Sequence, residues 1–210
     1  MHWRLNYGPE KEPSFKELWS KRKVSTITQQ PCFYLGKEDL FYYLVTHGAR
    51  HGWFRLRWLM DIQQFMKIPM DWNILYHQFE KSKNIMLGGQ ALILASELFE
   101  QDMKEEMKPL LAKSIRKIAI SALLFIEIRG YLLDTTLSKD INRAYKKYIS
   151  SIRTFRQKVL WWISKLHPDP EDAQVLPLPK FFHFLYFPLH PFLWLSRQRK
   201  RKVFSKSDFQ

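Results

Sequence analysis

The pattern of apolar and polar positions predicts a chain made mostly of helices. From about residue 40 onwards, apolar residues recur three or four positions apart, which is the period of a helix with one buried face. The first long segment runs from Leu40 to near Met66, ahead of Ile68-Pro69, because the residue before a proline disfavours helix. Asp71 is a good N-cap for the next helix. Residues 1–36 contain Pro9, Pro13 and Pro31 and predict irregular chain with short strands.

The clearest helical period lies in the second half of the chain. Its apolar residues are separated by alternating steps of four and three, and they are Ile141, Tyr145, Tyr148, Ile152, Phe155, Val159, Trp162 and Leu166. Such a stripe predicts one amphipathic helix in a bundle, with a coiled-coil partner as the alternative. Another helix is predicted from Pro109, in its first turn, to about Leu133.

The end of the chain is rich in aromatic residues. Residues 167–172 hold prolines and acids and predict a loop. The apolar segment Phe181–Leu195 follows, interrupted by Pro188 and Pro191. A membrane-spanning helix needs about 20 apolar residues, so no transmembrane segment is predicted. We expect a core or interfacial helix, with membrane-surface contact as the alternative.

Composition narrows the class of protein. A chain of 210 residues with 46% apolar and 26% charged residues is globular in composition and long enough to bury a core. Its single cysteine, Cys32, excludes a disulfide framework and a cysteine zinc site. Because no apolar run or cleavage pattern opens the chain, we expect no signal peptide and a cytoplasmic protein.

The charge indicates anionic partners. The formal net charge of +14 favours nucleotides, nucleic acid or an anionic membrane surface. One basic cluster stands near the end and consists of Arg197, Arg199, Lys200, Arg201 and Lys202. A solvated tail is the simplest interpretation of that cluster.

The stretch from His47 to Asp61 concentrates the chemistry. It holds two histidines four apart, two glycines four apart, three arginines, two tryptophans and an aspartate. On one continuous helix, four side chains would share an arc of about 80°, and these are His47, His51, Arg55 and Trp58. Arg50 and Asp61 would flank that arc, while Trp53, Leu56 and Met60 would point to the core.

Two interpretations of this stretch stay open. In the structural one, the histidines bond neighbouring helices and Arg57 pairs with Asp61. In the functional one, arginines hold phosphate and a histidine moves a proton. Gly48 and Gly52 would admit a ligand or another backbone, or would break the helix in two. No metal site is predicted, because the glutamate of the helical zinc motif is missing after His47.

Familiar catalytic motifs are missing elsewhere. The sequence has no phosphate-binding Gly-Lys-Thr loop, nucleophile elbow or dinucleotide fingerprint. It also has no strand with an Asp-x-Asp pair, which nucleotidyl transfer uses to hold two Mg²⁺.

The run from His47 to Asp61 has the core Arg55-Leu56-Arg57-Trp58-Leu59-Met60-Asp61-Ile62. Together with several other segments, it resembles a bacterial family of uncharacterised nucleotidyltransferases, and the run itself is similar to that family's first helical signature. The other similar segments, in the family's order, are His2-Trp3-Arg4-Leu5, Asp71-Trp72, Asn84–Leu98 with Leu87-Gly88, and Leu178-Pro179 followed by His190-Pro191. His190 stands where the family usually has arginine.

The resemblance implies a fold and an activity. It predicts a mainly α, multi-helix bundle with a short irregular or strand N-terminal segment, the C-terminal part of an α+β nucleotidyltransferase-like protein. Residues 1–36 would be the end of a catalytic strand plus a linker, 37–198 the helical domain, and 199–210 the basic tail. An intact relative would use Mg²⁺ and an NTP to transfer a nucleotide to an acceptor hydroxyl or phosphate.

The resemblance also implies roles for individual residues. Arg50, Arg55 and Trp58 would bind substrate, His47 or His51 would shuttle a proton, and Asp61 would orient an arginine. The family's metal-binding aspartates have no counterpart in this sequence, so we expect a truncated, inactive chain that forms the acceptor-side wall. A catalytic half encoded upstream, or a separate chain, would complete the site.

Two other functions remain open from the sequence. One is a non-enzymatic basic helical module that binds nucleic acid or an anionic membrane surface. The other is a nonfunctional remnant.

Overall fold

A computed structural model describes residues 12–27, 29–111, 115–127 and 139–207. The protein is mainly α, as predicted. Its residues form two compact units, Met1–Thr154 and Phe155–Gln210, which are described separately below. The predicted strand end at His2–Leu5 lies outside the described residues.

The first unit begins with a short helix and a small hairpin. Helix α1 spans Phe15–Ser20, with Ser14 and Glu17 forming a capping box at its start. Strands β1 (Lys23–Ser25) and β2 (Cys32–Tyr34) pair antiparallel, with Val24 opposite Phe33. The predicted short strand near Cys32 is therefore present, whereas helix α1 was not predicted.

Four helices build the core of the first unit. They are α2 (Lys37–Arg50), α3 (Leu56–Lys67), α4 (Trp72–Lys81) and α5 (Ile85–Phe99). Helix α5 packs against the other three, and the side chains that meet there include Phe41, Leu59, Phe79 and Leu92, all fully buried. Asp71 caps α4 as predicted, because its carboxylate accepts a hydrogen bond from the Ile74 amide at 3.0 Å.

The predicted helix from Pro109 is wrong at its start. Pro109 lies in a 3-10 helix, Glu105–Leu110, and helix α6 begins separately at Ile115 and ends at Glu127. Leu133, the predicted end, lies outside the described residues.

The single amphipathic helix predicted over residues 141–166 is also wrong. Helix α7 spans Lys139–Ser151, and helix α8, Phe155–Lys165, belongs to the second unit. The break follows Ser150-Ser151, residues of low helix propensity. There the hydroxyl of Ser151 bonds the carbonyl of Tyr148 at 2.7 Å, an alternative to the helical backbone pattern.

The second unit continues with α9 (Pro170–Val175), a 3-10 helix (Lys180–Leu185) and α10 (Tyr186–Ser207). The loop predicted for residues 167–172 is therefore wrong in its second half. Pro170 occupies the first helical position, where the missing amide hydrogen costs nothing. Helix α10 runs through residue 198, and the predicted domain limits at residues 36 and 198 stay predictions.

The aromatic segment Phe181–Leu195 is not a core helix, because Phe181, Phe184 and Phe192 are all more than 60% exposed. Among the described residues, no helix is long and apolar enough to cross a membrane.

Candidate functional site

The stretch from His47 to Asp61 folds as two helices joined by a tight turn. Helix α2 ends at Arg50, and the Gly52 and Trp53 amides donate to the carbonyls of Ala49 and Gly48 at 3.0 and 2.9 Å. This pair of bonds is the Schellman cap, which requires a left-handed residue. Gly52 provides it with φ +61°. Of the two alternatives left open by the sequence, the structure therefore shows the break into two helices, and the wheel drawn for one continuous helix does not apply.

The two glycines make room for side chains of the protein itself. The ring of Trp53 folds back onto Gly48, where an added Cβ would overlap it. At Gly52 an added Cβ would lie 3.0 Å from the ring of Phe125. The expectation that these glycines admit a ligand or another backbone is therefore replaced by a packing role.

A buried polar network fixes the end of α2. Trp53 Nε1 donates to Gln90 Oε1 at 3.1 Å, and Gln90 Nε2 donates to the Ile118 carbonyl at 3.0 Å. The Tyr148 hydroxyl lies 2.7 Å from the Ala49 carbonyl oxygen and 3.1 Å from Gln90 Oε1. Helices α5, α6 and α7 thus all hold the turn.

The turn brings aromatic and cationic side chains together. The rings of His47 and His51 have centroids 4.6 Å apart, and the Trp58 ring lies 5.1 Å from the first and 5.6 Å from the second. The Arg55 guanidinium stands 5.7 Å from the Trp58 ring centroid. We call His47, Arg50, His51, Arg55 and Trp58 the histidine cluster.

The structure separates the predicted site residues into two groups. The four residues expected to share an arc do lie together, although a turn and not a continuous helix joins them. Trp58 is only 8% exposed, so its ring supports the imidazoles and offers little surface to a substrate. Of the residues expected to point inward, Trp53 is buried, whereas Met60 is 50% exposed.

Asp61 stands apart from the cluster's ring contacts. It is exposed on α3, one turn beyond Trp58. The ion pairs of the described residues include none between Arg57 and Asp61 and none that joins Asp61 to another arginine. The roles assigned to these residues stay predictions.

The surroundings keep both imidazoles neutral. Burial, followed by the charges of His51, Arg50 and Arg55, lowers the pKa of His47 below its usual value. Burial, followed by Arg50 and Arg55, lowers the pKa of His51 in the same way. Near neutral pH each ring therefore has a nitrogen that can accept a proton.

The donor set suits an anion and does not suit Mg²⁺. Guanidinium groups bind phosphate oxygens, whereas Mg²⁺ requires oxygen ligands in octahedral geometry. The cluster contains imidazole, guanidinium and indole but no carboxylate. Within the described ranges, no group of three His, Cys, Asp or Glu residues could hold a metal ion.

Sequence reasoning missed two sets of residues. Gln90 and Tyr148 hold the turn, and a lone glutamine within the apolar run Leu87–Ala95 was a signal that could have indicated a buried bond. In the second unit, His190 Nδ1 lies 2.5 Å from Asp172 Oδ2, and Arg197 lies 3.0 Å from the other oxygen. The positions of Arg197 and Asp172 in the sequence give no indication that the two side chains are in contact.

The fold and the cluster define a mainly α protein with imidazole and guanidinium groups gathered at a helix end. Residues 1–100 match the sequence model of a family described as an uncharacterised nucleotidyltransferase. The match confirms the resemblance over the segment that contains helices α1–α5 and the histidine cluster. No curated protein and no solved structure matches the chain.

Proposed function

We propose that this nucleotidyltransferase-like chain forms the acceptor-side wall of a nucleotide-transfer site, with the histidine cluster on that wall. One observation supports the proposal above others: two imidazoles have ring centroids only 4.6 Å apart, and burial and the charges of Arg50 and Arg55 lower the pKa of both. A hydroxyl nucleophile needs a neutral base that can take its proton. A phosphate chain needs fixed cations that stabilise its negative charge.

The arginines and histidines of the cluster, and the nearby Asp61, each have a proposed task. Arg50 and Arg55 contact the phosphate groups of a nucleotide or a phosphorylated acceptor, because guanidinium groups match phosphate oxygens. His51, at the surface, accepts a proton from the acceptor hydroxyl, and the adjacent His47 can receive it next. Asp61 orients an arginine once substrate is bound.

The metal chemistry of the family has to come from other residues. Neither described strand carries a carboxylate, since β1 is Lys23-Val24-Ser25 and β2 is Cys32-Phe33-Tyr34. We therefore propose that a catalytic half outside these 210 residues, on an upstream segment or a partner chain, holds Mg²⁺. Without it, transfer loses its main charge stabilisation, so the chain alone is inactive.

Imidazole titration tests the wall directly. Inorganic pyrophosphate, the charged part common to all NTPs, is added to the whole chain without metal, and the pKa of His47 and His51 is followed by NMR. A bound anion favours the charged imidazole, so we expect both pKa values to rise. Arg55→Gln should weaken pyrophosphate binding about tenfold, the effect of one charge-assisted hydrogen bond.

Arg57→Gln is the matched control, because Arg57 is exposed two residues further along and is not among the charges that lower the pKa of either imidazole. Equal losses of pyrophosphate affinity in both variants would show that any positive charge attracts the anion, and this result would contradict the proposed wall. Unchanged pKa values at saturating pyrophosphate would contradict it as well.

An activity assay tests the second part of the proposal. The purified chain is incubated with Mg²⁺ and labelled NTPs, and we expect no labelled acceptor. Metal-dependent transfer by the chain alone would refute the proposed need for a catalytic half.

A further inference from the structure

Helix α8 of the second unit carries an apolar stripe on its outer surface. Phe155, Val159 and Trp162 follow one another in steps of four and three, so they share one helix face, and Leu166 follows four residues later, directly after the end of α8. Their exposed fractions are 83%, 40%, 67% and 52%. In this structure, therefore, the regular stripe that predicts burial faces solvent.

The closing helix combines buried residues with exposed aromatic residues. Tyr186 and His190 are buried, and Asp172 of α9 binds both His190 and Arg197. The same helix exposes Phe187, Phe192 and Trp194 at 53%, 70% and 47%. Because α10 packs through Tyr186 and His190, these exposed aromatic residues are left for another surface.

The residues around these faces carry a net positive charge. Residues 155–207 contain ten lysines and arginines and three acids. All three acids, Asp169, Glu171 and Asp172, pair with Arg197. Residues 173–207 include no aspartate or glutamate. The exposed aromatic segment is therefore surrounded by cations in sequence and by no acid that would repel an anionic surface.

We propose that the second unit docks on the surface of an anionic phospholipid bilayer through these residues of α8 and α10. Phenylalanine and tryptophan insert at the boundary between headgroups and acyl chains, while lysine and arginine attract the headgroups. The unit lies on the bilayer and does not cross it, in agreement with the absence of a spanning helix among the described residues. This inference is independent of the proposed transfer site.

The apolar side chains favour a bilayer over a nucleic acid. Single-stranded nucleic acid is bound by aromatic rings that stack on bases. On α8 and directly after it, the aliphatic residues Val159, Ile163 and Leu166 are also at least 40% exposed, and they have no ring to stack. Aliphatic and aromatic residues on one face match acyl chains better than bases.

Vesicle sedimentation tests the proposal with the whole chain. Vesicles of phosphatidylcholine are compared with vesicles of equal parts phosphatidylcholine and phosphatidylglycerol, and we expect binding to the second kind that weakens with salt. Trp162→Ser and Phe192→Ser should each lower partitioning about tenfold, the effect of one aromatic side chain withdrawn from an apolar phase. Circular dichroism checks that both variants fold.

Ile120→Ser is the matched control, since Ile120 is 58% exposed on α6 of the first unit. It should leave vesicle binding unchanged. The proposal is overturned if anionic vesicles are not bound, or if Trp162→Ser and Phe192→Ser bind them as well as the control does.

Two further measurements test other binding partners for these faces. If the same variants abolish self-association in size-exclusion chromatography while vesicles are ignored, the faces join two copies of the chain. If they instead abolish binding to a single-stranded oligonucleotide, the faces bind nucleic acid. Either result overturns the bilayer proposal.

Discussion

Trp53 is a large side chain on a left-handed backbone, with φ +58°. That conformation costs a non-glycine residue about 1–2 kcal/mol. Complete burial of the ring and the hydrogen bond to Gln90 offset this cost, because burying one large apolar side chain contributes about 1.5–3 kcal/mol. The ring therefore holds the turn that carries His51.

The contact between Gly48 and Trp53 gives a prediction with a definite sign. Helix propensity alone would make Gly48→Ala stabilising by about 1 kcal/mol. The added methyl group overlaps the Trp53 ring, and overpacking costs about 1–3 kcal/mol. We expect a net loss of unfolding free energy in urea denaturation.

A double-mutant cycle separates the two effects. In a Trp53→Leu background the overlap is removed, so Gly48→Ala should be neutral or stabilising there. An equal loss in both backgrounds would show that Gly48 is required for some other reason.

At the level of single residues, sequence predicted the members of the cluster but not the cause of their proximity. The sequence around a helical glycine looks the same whether the glycine leaves room for a ligand or for a side chain of the protein, as Gly48 does for Trp53, five residues further along. Only the position of the Trp53 ring distinguishes these two cases. Likewise, Trp58 is buried between helices only because of the turn, and the spacing of apolar residues in α2 does not predict that turn.

Helices α9 and α10 are joined by a buried charge contact. Burial alone would raise the pKa of Asp172, but the hydrogen bonds from His190 and the Asp169 amide, with the charges of His190 and Arg197, lower it below its usual value. Asp172 therefore stays ionised near neutral pH, and its two oxygens face two different residues of α10.

Asp172→Asn should open this pair of helices. Removing one member of a buried charge pair costs about 3–5 kcal/mol. Glu171→Gln is the control, since Glu171 is half exposed and bonds the same Arg197 at 2.9 Å, and a surface pair contributes about 0–1 kcal/mol.

Hydrogen exchange measures both variants, with α5 as an internal reference. We expect faster exchange of α10 amides in Asp172→Asn only, because exchange reports local opening. Similar exchange in the two variants would show that Asp172 holds α10 no more firmly than a surface acid does.

Sequence predicted helices correctly where period and cap agreed. Asp71 stands directly before the apolar period of α4, and both signals are local. The period of residues 141–166, however, continues across a break at Ser151, because apolar spacing is the same whether two helices share a face or belong to different units. Pro170 predicts a loop if proline is taken only to interrupt helices, but proline is also favoured at a helix start.

The whole molecule carries a charge of +14, which predicts sequence-independent binding to polyanions. The logarithm of the binding constant for duplex DNA should fall linearly with the logarithm of salt concentration, with a slope of about −0.9 per phosphate contacted. His51→Gln should leave the slope unchanged, because burial and two arginines keep that imidazole uncharged near neutral pH.

Fluorescence anisotropy in a salt series measures this slope. A slope near zero would contradict binding driven by net charge. A slope altered by His51→Gln would instead show that the polyanion occupies the histidine cluster, which would connect the basic charge with the proposed transfer site.

At this scale the helical class could be predicted from sequence, and so could the resemblance over residues 1–100. The division after Thr154 could not be predicted. No Gly-rich or Pro-rich linker marks that position, and the apolar period runs through it without change.

The turn between α2 and α3 imposes a fixed length on the chain. One extra residue between Gly52 and Leu56 that joined the start of α3 would rotate every side chain of that helix by about 100° around its axis. Trp58 would then leave the imidazoles, and the fully buried Ile62 would turn toward water. Insertions and deletions at this bend would therefore disrupt the candidate site and the core together, even though the bend itself lies partly at the surface.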